Sequence, residues 1–233
     1  MTGDWLGPPV SVIAPRSVDG FSEAATMADG LHEFPDGFFA RTDEADDREF
    51  YSVPRFVTHI DDRAIAAVGL LYEELRITGS ILDLMSSWVS HFKETPASLT
   101  ALGMNANELA ANQQASNWVV HDLNTDPTLP FVNDSFDHAT CAVSVDYLTR
   151  PVEVFQEVAR VVRPGGLFVC TISKRLFPTK AIHGWLGTPD AIHQRIVVEY
   201  FERSGRFLPA FTRLCTPIGS HGDPLYAVWA RVR

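Results

Sequence analysis

Cysteine is scarce in this 233-residue chain: Cys141, Cys170 and Cys215 are an odd number and lie far apart. They offer neither a disulfide framework nor a pair at zinc spacing, and are expected to be reduced core residues of a cytoplasmic protein. Long apolar runs are missing too. None approaches the ~18 residues that a membrane-spanning helix needs, so no membrane partner is expected. The opening stretch MTGDWLGPPV carries an acid and no apolar segment, which argues against a secretory leader. Positive charge is in deficit, with 19 Lys and Arg against 29 Asp and Glu and a formal net charge of −10. That balance disfavours nucleic acid and anionic membrane as partners. HExxH, the G-x-S-x-G nucleophile elbow and a phosphate-binding P-loop are absent, as are internal repeats. His183 and His193 alone do not make a metal site, so no metal is expected.

What is present is an ordinary globular composition. Hydrophobic residues are 45% and charged residues 21%, and with this length they supply a sizeable core without staples. Residues 1–49 show no sustained periodicity. They carry PP, DG and GF punctuation and scattered aromatics, and are read as an irregular N-terminal extension. It closes on the acidic run 42–49, expected to be a solvated connector. Residues 50–233 make the second unit. A helix is predicted after Asp61 or Asp62, with Ile65, Val68, Leu71 and Leu75 at helical spacing. Strands are predicted at SILDLM, SLTALGM, NWVVHDL, FDHATCAVSV, LFVCTIS, FTRLCT and LYAVWARV. Further helices are predicted over 151–162, stopped by Pro164-Gly165-Gly166, and over 188–204. Strands alternating with helices imply right-handed crossovers and an α/β fold, a mostly parallel sheet flanked by helices. The last strand is expected to insert antiparallel, because little chain remains for another crossover.

The most specific stretch is 119–173. Asp122 follows the third strand. Leu129-Pro130-Phe131 comes next, and Asp134-Ser135-Phe136-Asp137 opens the fourth strand. Glu157, Arg160, Val161 and Pro164-Gly165-Gly166 complete the series. Each piece has a physical reading. Phe136 packs inward while Asp137 fixes a turn by accepting backbone N–H groups. Gly165 and Gly166 permit a tight turn through positive φ. Glu157 and Arg160, three apart on a helix, brace each other or a nearby loop. Taken in order, these residues resemble a class I S-adenosylmethionine (SAM)-dependent methyltransferase of the type 11 small-molecule group, from about residue 61 to the C-terminus. The resemblance implies a Rossmann-like seven-stranded sheet, SAM as cofactor, and direct methyl transfer to a small-molecule acceptor. It also implies that Asp122, with Leu123 beside it, takes the adenine amino group at the carboxyl end of a strand, where open α/β sheets bind ligands. Asp122 reads equally well as a loop-capping aspartate.

Two positions depart from that pattern. The family follows its first strand with an acid and G-x-G-x-G, whose glycines let backbone N–H groups approach the methionine part of the cofactor. Asp83 is kept, but Met85, Ser87 and Val89 stand where the glycines belong. Ser86 and Ser87 are then the expected donors to a carboxylate. The family's second strand ends in an acid that holds the ribose. Gly103 occupies that place, and Asn105 is the nearest polar substitute. Losing a charged hydrogen bond costs roughly 1.5–3 kcal/mol, or about 10- to 150-fold in affinity, which weakens binding without abolishing it. The expected cofactor residues are therefore Asp83, Ser86, Ser87, Asn105, Asp122 and Leu123.

On the acceptor side, Asp146 and Tyr147 end the fourth strand, and His59 belongs to an aromatic segment, 50–60, suited to closing over a pocket. These three are the candidate acid–base residues, against the plainer reading in which Asp146 caps a helix and Tyr147 packs. Lys174, Arg175, Lys180, His183, Trp185, His193 and Arg195 gather after the fifth strand. They would match an anionic acceptor such as a carboxylate or phosphate, or are ordinary surface charge. The lost glycines also leave a rival function open, a non-catalytic binding or scaffold module on the same fold.

Overall fold

The computed structural model describes residues 34–217 and 222–233. The aromatic-bearing segment 1–33 of the expected extension lies outside the described residues. The chain runs α1 (Asp47–Phe50), α2 (Asp62–Glu74), β1 (Ser80–Leu84), β2 (Ser98–Gly103), α3 (Ala106–Ala111), β3 (Asn117–Val120) and β4 (His138–Ala142). After a 3₁₀ turn at Val145–Tyr147 come α4 (Pro151–Val161), β5 (Leu167–Ile172), α5 (His183–Leu186), α6 (Asp190–Ser204), β6 (Phe211–Leu214) and β7 (Tyr226–Arg231). The strands form one sheet in the order β3-β2-β1-β4-β5-β7-β6. β1 to β5 pair in parallel, and β7 lies antiparallel between β5 and β6. Order reverses between β1 and β4, which makes that junction the topological switch point.

Both faces of the sheet are covered, so its central strands are apolar throughout rather than alternating. On one face α2 packs Val68, Leu71 and Tyr72 against Ile81, Leu99 and Val169. Its N-cap is Asp61, whose carboxylate accepts the Ala64 N–H at 2.9 Å and the Asp223 N–H at 2.7 Å. On the other face α4 and α6 meet β5 through Phe155, Phe168 and Phe201, with Phe155 stacked edge-on at 4.8 and 4.7 Å from the other two rings. α4 opens with Pro151 at its first turn, where a missing N–H is harmless. α6 stops at Gly205 in the left-handed conformation, φ 68°.

Sequence signals at the β4 junction act as braces. Asp137 accepts the Ser80 N–H at 2.8 Å and pairs with Arg163. Arg160 bonds Glu157 and the carbonyls of Leu129 and Phe131, and Glu157 takes the Leu129 N–H. The pair ties down the 129–133 loop.

Two further features bear on the site, and the second of them differs from the sequence reading. The β1–β2 connection, residues 85–97, has no helix. Its sequence MSSWVSHFKETPA lacks an apolar 3.6-residue stripe, and Pro96 cannot continue a helix. Side-chain amides hold it instead: Asn112 donates to the Ser87 carbonyl and Ser90 Oγ, and Gln114 bonds both the N–H and the carbonyl of Phe92. The acidic run 42–49, expected to be a solvated connector, is anchored. Residues 36–233 form one compact unit, and Asp47 is buried within it. Asp47 receives Arg41 Nη1 at 2.8 Å on both oxygens, Asn124 Nδ2 at 2.9 Å and Lys180 Nζ at 3.0 Å. Burial raises its carboxyl, but the bonds from Arg41, Asn124 and Lys180 outweigh that and hold it below its ordinary value. Lys180 is 0% exposed, and also bonds the carbonyl of Ala45 and the carboxylate of Asp43.

Candidate active site

A cavity of about 370 Å³ opens at the carboxyl ends of β1 to β4, within the usual range for small-molecule sites of roughly 300–1,000 Å³. Its floor is the switch point, where Asp83, Leu84 and Met85 leave β1 and Ala142, Val143 and Ser144 leave β4. The β2 and β3 ends add Gly103, Asn105, Asp122, Leu123 and Asn124. Tyr51, Arg55, Val57, Thr58 and His59, with Arg175, Leu176 and Phe177, complete the lining.

All six expected cofactor residues line this cavity, but most of their polar atoms are already engaged. Asp83 accepts Ser86 Oγ at 2.6 Å and Thr140 Oγ1 at 2.7 Å. Burial raises its carboxyl, against those two hydroxyl bonds. Asp122 caps its own loop, taking the N–H groups of Asn124 and Thr125 and the Thr125 hydroxyl. Asn105 is the N-cap of α3 through Oδ1, and its Nδ2 donates to the carbonyls of Tyr51 and Ser52. The ribose role expected of Asn105 is not served by a free amide here. Glu108, one turn into α3, is the cavity-lining acid near that position, and accepts the Arg55 N–H at 2.6 Å. Sequence reasoning missed it because it follows the strand end by five residues.

Gly103 has a steric reason. A Cβ there would overlap the Ser86 carbonyl, where the Ser86 N–H bonds Leu102 O at 2.8 Å. The β1 loop thus rests directly on β2. Gly103→Ala is expected to push that loop off the strand and lower stability by about 1–3 kcal/mol, read as a lower thermal midpoint. An unchanged midpoint would show that the loop yields freely.

The lost glycines leave a mark in the backbone. Met85 keeps a left-handed φ of 52°, the conformation a glycine adopts without strain. Among the described residues five non-glycines have positive φ, and three of them, Met85, His91 and Val143, line this cavity. Val143 is β-branched, so its φ of 46° is strained. Such strain clusters at functional sites, where surrounding structure over-determines it.

On the acceptor side, His59 and Tyr147 line the cavity. Burial lowers His59, whose ring stacks edge-on against Phe177 at 5.3 Å. Tyr147 Oη accepts the Phe177 N–H at 2.9 Å. Asp146 is a correction: within the 3₁₀ turn it is buried and does not line the cavity. Burial pushes its carboxyl up to about 8, and its Oδ2 has no hydrogen-bond partner among the described residues. The basic cluster also disperses. Lys174 and Arg175 pair with Asp223, Arg195 with Glu199, Lys180 turns inward, and His193 stacks on Trp185 at 4.1 Å. Of the seven, Arg175 alone lines the cavity.

A 3-2-1-4-5-7-6 sheet with an antiparallel seventh strand and a cavity over the switch point defines the class I methyltransferase fold. Residues 79–170 match the family described as "Methyltransferase domain". The chain resembles class I SAM-dependent methyltransferases in sequence and in fold, and SAM is the cofactor of that class. Over 62 residues it is 36% identical to the biotin biosynthesis bifunctional protein BioHC of Teredinibacter turnerae, covering 27% of this chain and 10% of that one. Over 69 residues it is 36% identical to the ubiquinone/menaquinone biosynthesis C-methyltransferase UbiE of Roseobacter denitrificans, covering 30% and 26%. The matches thus span about a tenth and about a quarter of those relatives. In fold it is similar to a SAM-dependent methyltransferase of Thermotoga maritima described as a possible histamine N-methyltransferase. That similarity has a TM-score of 0.51 at 10% identity over 73% of this chain and 91% of that one.

Proposed function

We propose that the chain is a SAM-dependent methyltransferase acting on a small-molecule acceptor by direct methyl transfer. The observation that carries this reading is the cavity over the switch point, lined by Asp83, Met85, Asp122 and Leu123 together. The residues present fit the cofactor. Met85 retains the left-handed turn that a glycine loop uses, and unpartnered polar atoms remain in the same wall, at Ser87 and His91. When bound, SAM supplies an electrophilic methyl group on a sulfonium sulfur. Asp122 and Leu123 would hold the adenine, and Asp83 braces the β1 loop through Ser86. His59, kept neutral by burial, and Tyr147 face the acceptor space. A neutral imidazole accepts a proton from the acceptor when one must leave. An anionic group on the acceptor would meet Arg175 at the rim. The free, buried Cys141 and Cys170 support a reducing, cytoplasmic setting.

A thermal-shift titration with SAM and S-adenosylhomocysteine tests the reading. Ligand at about 100 times its dissociation constant is expected to stabilise by roughly 2.7 kcal/mol, several degrees at this size. Asp122→Ala is expected to lower affinity about tenfold in calorimetry; an unchanged value would remove Asp122 from the site.

The second reading is a non-catalytic module, favoured by the missing crossover helix at 85–97 and the side chains at the glycine positions. No shift with millimolar ligand would make it the leading one.

A further inference from the structure

We propose that Ser87 and His91 form a side-chain carboxylate site that replaces the glycine loop, holding the amino-acid end of the cofactor. The inference rests on the methyltransferase reading above and names the residues of that site which do the binding.

Five observations carry it. First, both residues line the cavity. Second, Ser87 Oγ and His91 Nδ1 are buried and have no hydrogen-bond partner among the described residues. A buried polar atom left unpaired costs about 1–3 kcal/mol, so two in one wall point to a missing partner. Third, the neighbouring candidates are engaged elsewhere: Ser86 Oγ bonds Asp83, Asn105 caps α3, and Asp122 caps its own loop. Among the polar residues expected to bind the cofactor, Ser87 alone keeps an unpartnered side-chain donor. Fourth, the loop that carries the pair is fixed. Asn112 holds the Ser87 carbonyl at 3.1 Å and Ser90 Oγ at 2.8 Å, and Gln114 clamps Phe92. The Ser87 main chain is therefore anchored while its buried hydroxyl has no partner among the described residues. His91 sits at φ 60°, a conformation uncommon for a residue with a side chain.

Fifth, the chemistry favours an anion. The stretch Met85 to His91 reads MSSWVSH and contains no acid, and the acid that opens the loop, Asp83, is engaged by Ser86 and Thr140. Hydroxyl and imidazole N–H groups donate to a carboxylate. Thr58 and His59 line the same cavity, and a charge on His59 would disfavour one on His91. Burial keeps His91 neutral, down at about 4, so Nδ1 would meet the carboxylate as an uncharged N–H, in the tautomer that carries its proton there.

The test is calorimetry with two ligands on the full chain. S-adenosylhomocysteine carries the amino-acid end; 5′-methylthioadenosine has the same adenosine and thioether without it. Ser87→Ala removes the hydroxyl. His91→Asn withdraws the ring and keeps a residue that tolerates the left-handed backbone. Each is expected to weaken S-adenosylhomocysteine about tenfold and to leave methylthioadenosine within about twofold. Thermal midpoints of the ligand-free variants show that both are folded. Equal loss for both ligands, or no loss for either, overturns the carboxylate site and leaves the methyltransferase reading standing. If the wild-type chain binds neither ligand, the cofactor reading falls and the site falls with it.

Discussion

Asp47→Ala is expected to be the most destabilising single change in the chain, at about 3–5 kcal/mol. It would leave the fully buried Lys180 and the buried Arg41 without their shared carboxylate, and Asn124 without one of its acceptors. A buried ion pair adds little over a well-packed apolar pair, but removing one partner strands the other in a low-dielectric setting. At this size each kcal/mol moves the midpoint by about 2–4 °C, so a fall on the order of 10 °C is expected in thermal unfolding. Lys180→Met in the Asp47→Ala background should recover part of the loss by removing a buried ammonium whose remaining carboxylate partner is the half-exposed Asp43. A fall below about 1 kcal/mol, or no recovery in the double variant, would show that the segment 41–50 is not held by these charges.

The second large effect is a pH slope. Asp146 is held protonated up to about pH 8 in the folded chain, first by burial, against an ordinary value of 3.8. Between those values the unfolded chain releases the proton and the folded chain keeps it. The stabilisation is complete below the unfolded value and is lost as pH rises through about 8, at about 1.4 kcal/mol per pH unit in between. Tyr147, Tyr51 and Cys141 around it are all raised by burial, away from this window. Denaturant unfolding should therefore show the wild type losing about 2–3 kcal/mol between pH 6 and pH 8 relative to Asp146→Asn. The slope is the readout, because any packing effect of the amide is the same at both pH values. Parallel profiles for the two proteins would mean that the carboxyl is ionised in the fold.

Asp146 also shows where sequence legibility ended. The seven strands, the antiparallel last strand and the helices α2, α4 and α6 could be read from apolar runs, an aspartate cap and a Pro-Gly-Gly stop. They are long or sharply punctuated, and both faces of the sheet demand apolar residues. α3 was not legible, since six residues capped by Asn105 give no periodicity. The cavity wall was legible as a set of chain positions but not as a set of available atoms. Asp122, Asn105 and Ser86 stand where a ligand residue should be, yet their hydrogen bonds go to the chain itself. Direction was hidden as well. Asp146 and Tyr147 are adjacent, and one 3₁₀ turn sends the first into the core and the second to the cavity. The anchoring of 42–49 depends on Lys180, more than 130 residues away, and no local pattern announces such a partner.

The helix-free connection between β1 and β2 has a consequence for how this protein changes over generations. A wall made from a helix is shaped by a ladder of identical backbone bonds, and a single substitution rarely redraws it. Here the wall's outline is set by Asn112, Gln114 and the bond from Trp88 to the Val57 carbonyl. Two of those three side chains belong to the far end of the β2–β3 connection rather than to the wall. The contour of the chamber can therefore drift through exchanges at places that never touch what it encloses, and two descendants of this chain with the same lining residues need not admit the same molecule.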